Sequence, residues 1–186
     1  FYEDNYEDWL NGRTEKPLIS PTVLKEKMFP LLKSDKPTFL IVIDNLRYDH
    51  WKQMQPTIEE YFHTVDESVY YSILPTTTQY ARNSLFSGLM PAEIQKKYPN
   101  YWVNEDEEGY KNQYEHELLD EYLKRYGHQV KHAYYKVLNA QYGKKLVDSL
   151  PKMMSNKLNV IIYNFIDMLS HARTELDIVR ELAENE

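Results

Sequence analysis

Apolar positions in this chain fall into a few dense runs separated by polar, helix-periodic stretches. "PTFLIVID" (37–44) is nearly continuous and rich in β-branched residues, which predicts a buried parallel strand. "NLRYDHWKQMQPTIEEYF" (45–62) reads as a helix interrupted at Pro56, and "HTVDESVYYSIL" (63–74) holds a second strand near 68–74. "PTTTQYARNSLFSG" (75–88) is a turn followed by a helix, closed by Gly88 and Pro91. A charged helix is predicted over 104–126, stopping at Gly127, then a third strand over 128–138. Residues 140–154 read as a helix with a break near Pro151. "KLNVIIYNFID" (157–167) is the strongest strand, and 170–186 form a final helix. Strands alternating with helices predict βαβ units and a parallel sheet. Residues 1–36 are polar and contain Pro17, Pro21 and Pro30; they read as a linker or helical lead-in to a domain over 37–186.

The 186 residues, 42% hydrophobic and 27% charged, fit one globular domain. A net charge of −7 argues against a duplex-DNA footprint, because phosphate binding needs a basic field. No cysteine is present, so thiolate metal sites and a cysteine nucleophile are excluded, and a cytoplasmic setting is expected. No apolar run approaches the ~20 residues of a membrane helix, so no membrane partner is expected.

Three strand ends carry reactive groups: Asp44, the "PTTT" turn at 75–78, and Asp167 with His171 four residues on. In an open parallel sheet such ends share one crevice. Singly, each has a plain structural reading. Asp44 and Asp167 suit helix caps, the threonines suit an N-cap, and a lone histidine suits the surface. Together they fit metal chemistry, since carboxylate oxygen and imidazole nitrogen suit zinc. A threonine hydroxyl needs a base or a metal to become a nucleophile, and a helix N-terminus beneath it offers N–H groups to a phosphate. The phosphate-binding glycine loops and the G-x-S-x-G elbow are absent. His50, His63, His116, His128 and His132 fit no such constellation.

"FLIVIDNLRYDHW", "SILPTTTQYARNSLFSGLMPAEI" and "NVIIYNFIDMLSHAR", in that order, resemble the PglZ domain, a branch of the alkaline phosphatase superfamily. More closely they resemble the output domain of PorX-type response regulators, which are associated with type IX secretion. The resemblance covers roughly 37–186. It implies an α/β parallel-sheet sandwich of alkaline phosphatase-like type, incomplete at the C-terminus. It further implies two zinc ions and a covalent intermediate on the nucleophile. Asp44 matches a ligand of one metal. Pro75, Thr78 and Gly88 keep the family's spacing, which puts Thr78 ahead of Thr77 and Thr76 as nucleophile and metal-bound oxygen. Asp167 and His171 match the pair holding the second metal. The family's asparagine three positions after the nucleophile is Ala81 here, so Arg82 or Asn83 is the expected phosphate contact.

The family's later Asp-His pair and further histidine have no counterpart before Glu186. The expectation is a piece of a longer domain, with weak zinc binding and little activity by itself. The implied substrate is a phosphodiester such as a short oligonucleotide. The alternative is a non-catalytic signalling or docking module of a type IX secretion regulator. Expected partners are a sigma factor or secretion-system regulator and a second copy of the chain as a homodimer. A further rival is an unrelated α/β domain whose polar strand ends are only caps.

Overall fold

The computed structural model describes residues 2–104, 106–164, 166–168 and 171. In chain order its helices are α1 (Tyr2–Leu10), α2 (Tyr48–Glu59), α3 (Thr78–Ser87), α4 (Pro91–Lys97), α5 (Glu115–Arg125) and α6 (Ala140–Met153). Its strands are β1 (Thr38–Ile43), β2 (His132–Val137) and β3 (Leu158–Tyr163). They form two compact units: Phe1–Lys33 with Ser68–Gln129, and Ser34–Glu67 with Val130–Glu186.

The first unit is helical. α3 packs on α5, and their interior holds Leu85, Phe86, Leu118, Leu119, Tyr122 and Leu123. Short helical turns over 20–33 add Leu24, Met28 and Phe29 to the same core. α3 ends at Gly88, whose φ of +64° is the left-handed cap that glycine adopts without strain. The Tyr122 ring fills the space where a Gly88 Cβ would stand. The Tyr122 hydroxyl donates to the Pro21 carbonyl at 2.9 Å, and its ring meets Phe29 edge-on at 4.8 Å.

The second unit carries the sheet, in the order β1-β3-β2 with both pairings parallel. Ile43, Tyr163 and Val137 stand in register, so all three strands end at one edge. On one face Ile161, Val137, Phe39, Tyr135 and Tyr163 pack with Leu146 and Met153 of α6. Leu158, Val160 and Ile162, on the opposite face, are fully buried. Central β3 is thus buried on both faces, which is why it reads as the strongest apolar run in the sequence. The buried Asn159 amide donates to the Met153 carbonyl at 2.9 Å and fixes the return from α6 into β3.

Several elements differ from the sequence reading. Residues 68–74 form no strand: the segment makes a single parallel bridge, Ile19 to Tyr71, and a strand needs a continuous ladder. The helix expected over 104–126 begins only at Glu115, because Gly109 has a φ of +110° that no right-handed helix contains. α2 runs through Pro56, and α6 contains Pro151 in its last turn without a break. β3 stops at Tyr163, so Asp167 lies on a helical turn and not on the strand. Except for His171, the predicted final helix lies outside the described residues. The three-stranded parallel sheet makes the chain α/β.

Candidate active site

Asp44 directly follows β1. Its N–H donates to the Tyr163 carbonyl at 2.9 Å, continuing the ladder one residue past the strand. Asn45 then takes a φ of 60°, a left-handed conformation that asparagine tolerates, and turns the chain off the sheet. On the neighbouring strand Asn164 continues in the same way, its N–H donating to Val137 at 3.2 Å. The chain then enters a helical turn that carries Asp167. Asp44 and the residues leading to Asp167 therefore leave adjacent parallel strands at the same carboxyl edge, the usual ligand-bearing edge of an open sheet.

His171 lies one helical turn beyond Asp167. Its Nε2 is 3.6 Å from Asp167 Oδ1, with the side chains 71% and 30% exposed. Two ligand atoms about 2.05 Å from one zinc, at the tetrahedral angle, stand roughly 3.3–3.4 Å apart. The observed pair is within a few tenths of an ångström of that. The donor set of carboxylate oxygen and imidazole nitrogen also suits zinc. These residues fit the metal that the sequence implies.

Thr78 belongs to the other unit, where it is the first residue of α3. It is half-buried, whereas Thr76 and Thr77 are exposed. Among the described residues its hydroxyl has no hydrogen-bond partner. Thr77 is the N-cap residue but makes no side-chain cap hydrogen bond. The side-chain capping reading of the threonine run therefore fails at this helix, and among the described residues the Thr78 and Gln79 N–H groups remain open to a ligand, while the Tyr80 N–H donates to the Thr77 carbonyl at 3.0 Å. Pro75, Thr77, Thr78, Gln79, Tyr80 and Lys111 line an open hollow of about 460 Å³. A second hollow of about 350 Å³, sharing Gln79 and Tyr80, is lined also by Gln95, Trp102 and Asn104.

Arg82 and Asn83 follow on α3 but turn inward. The Arg82 guanidinium donates to Glu115 at 2.6 Å, and the Asn83 amide donates to the Lys111 carbonyl at 3.0 Å. A phosphate contact from either would require giving up these buried bonds. Lys111 also lines the Thr78 hollow, and sequence reasoning did not place it there. Its ammonium donates to the carbonyls of Asn104 and Glu107. Reading 104–126 as one helix hid it, since a lysine on a charged helix carries no signal. Gly109 in "EEGYKN" was the available cue to a loop.

The chain belongs to the PglZ family: the model of the BREX system PglZ alkaline phosphatase-like domain matches residues 23–186. This is a phosphoester-hydrolase type of domain. No curated protein matches the chain. Among the described residues, no helix is long and apolar enough to cross a membrane.

Proposed function

We propose that this protein is a zinc-dependent phosphodiesterase or phosphatase with Thr78 as nucleophile and Asp44, Asp167 and His171 as metal ligands. The carrying observation is the Thr78 hydroxyl: uncapped, half-buried, at a helix N-terminus and open to a hollow. Asp44 and the Thr78 oxygen would hold one zinc, and Asp167 with His171 would hold the other. Bound zinc would supply the positive charge that makes an alkoxide available near neutral pH and offsets charge on the phosphoryl oxygens.

The chain's own residues do the rest. N–H groups of the first α3 turn bind the non-bridging phosphoryl oxygens and hold phosphorus in line with Thr78 Oγ. The threonine proton is released to solvent, the Oγ–P bond forms as the bond to the leaving oxygen breaks, and the departing oxygen takes a proton from solvent. Water then attacks the phosphothreonine, frees Thr78 and gives its proton to solvent.

The finer assignment is the output domain of a PorX-type response regulator linked to type IX secretion and acting on short oligonucleotides. It rests on the order of the three motifs. The hollow walled by Tyr80 and Trp102 offers aromatic faces that suit a planar base; the amides of Gln79, Gln95 and Asn104 that line it already donate to Val103, Asn104 and Glu107. Zinc titration by calorimetry tests the metal assignment. Binding weakened at least tenfold by Asp167→Ala and His171→Ala, but not by His116→Ala, supports it. Unchanged binding in those two variants refutes it.

A further inference from the structure

Residues 71–74 lead directly into Pro75 and the threonine run, yet they belong to no strand. Their main chain is held instead from the N-terminal segment. The Ser20 N–H donates to the Tyr71 carbonyl at 3.1 Å, and the Tyr71 N–H donates to the Leu18 carbonyl at 2.8 Å. The Ile73 N–H donates to the Ser20 hydroxyl at 3.1 Å. Two tyrosines of α1 complete the set. The Tyr6 hydroxyl accepts from the Leu74 N–H at 2.8 Å, and the Tyr2 hydroxyl donates to the Ser72 carbonyl. α1 is itself seated by ring contacts of Tyr2 and Trp9 with Tyr71, at 5.4 and 5.1 Å.

All of these partners lie in residues 2–20, upstream of the family match that begins at residue 23. The clasp is therefore supplied from outside the matched domain. Among the described residues, the Leu74 N–H is the last main-chain donor with a partner before Thr78.

We infer that α1 is a positioning element for the nucleophile, with Tyr6 and Tyr2 as positioning residues that fix the 72–74 backbone and hence Thr78. This rests on the assignment of Thr78 above. A helix that grips the nucleophile's approach from upstream also provides a route by which displacement of α1 lowers turnover without touching the metal ligands.

The test is the double variant Tyr2→Phe/Tyr6→Phe of the full protein, which keeps both rings and removes both hydroxyls. Amide hydrogen exchange and turnover of bis(4-nitrophenyl) phosphate in zinc are measured side by side, with Tyr110→Phe as a surface control and Thr78→Ala as a reference. The expected result is at least fivefold faster exchange over 71–80, unchanged exchange in β1–β3, and kcat reduced about tenfold with KM unchanged. Unchanged exchange over 71–80 overturns the clasp. Faster exchange with unchanged kcat, where Thr78→Ala abolishes turnover, overturns the positioning role. Turnover that survives Thr78→Ala refutes the nucleophile assignment and the positioning role with it, while the exchange data still decide the clasp.

Discussion

The Arg82 guanidinium and the Glu115 carboxylate meet at 2.6 Å between α3 and α5, their side chains 8% and 0% exposed. The pair binds the helix that carries Thr78 to the helix beneath it. Glu115 also accepts from the Asn112 amide at 3.3 Å, so the acid is held from two sides. Removing one member of a buried pair strands the other's charge. Arg82→Met and Glu115→Leu should therefore each destabilise by about 3–5 kcal/mol. The double replacement should recover most of that loss. Urea unfolding of the three variants checks this, and additive losses would contradict it.

Gly88 is the second point of constraint on α3. Any Cβ there would stand 2.1 Å from the Tyr122 ring carbon Cζ, at a φ of +64°. Gly88→Ala should cost about 2–4 kcal/mol, combining the left-handed penalty with displacement of a buried ring. Thermal unfolding measures it. Gly127→Ala is the control: its φ is +74° but no atom lies within 4 Å, so only the backbone penalty of about 1–2 kcal/mol is expected.

Burial pushes the Tyr122 hydroxyl up to about 12, from an ordinary value near 10. Between those values the unfolded chain has released the proton and the folded chain has kept it. Stability therefore falls as pH rises from 10 to 12 and is unaffected by this group below 10. Two units correspond to roughly 2–3 kcal/mol. Tyr2 is raised in the same direction, mainly by burial, so Tyr122→Phe should flatten the alkaline limb without abolishing it. Denaturant unfolding at pH 9, 10.5 and 11.5 checks the slope; an identical slope in Tyr122→Phe would contradict it.

Much of this was legible because burial writes itself into sequence. β1 and β3 are short apolar runs, and Gly88 marks the end of α3 by the conformation it must adopt. The end of β1 at Asp44 was legible for the same reason, since a polar residue ending an apolar run leaves the sheet there. What failed was non-local. Residues 68–74 carry a strand's composition, but among the described residues they make a single bridge, Ile19 to Tyr71, and no ladder. The inward turn of Arg82 and Asn83 depends on Glu115 and Lys111, about thirty residues away. The clasp of Tyr2 and Tyr6 joins residues some seventy positions apart, and no local pattern marks it.

The metal pair yields a prediction independent of turnover. Asp167→Asn removes the charge from one ligand while nearly keeping its shape, so zinc affinity should fall by tenfold or more. Protein stability without zinc should shift by no more than about 1 kcal/mol, because the Asp167–His171 contact is solvent-exposed. A large loss of stability without zinc would make the pair structural.

The most direct test of the central claim is hydrolysis of bis(4-nitrophenyl) phosphate in zinc by the full protein and by Thr76→Ala, Thr77→Ala and Thr78→Ala. The assignment predicts that Thr78→Ala alone lowers kcat, by at least a thousandfold, with zinc affinity reduced only modestly. Equal activity in Thr78→Ala and the unaltered protein would contradict it and leave Thr78 as an ordinary first residue of α3.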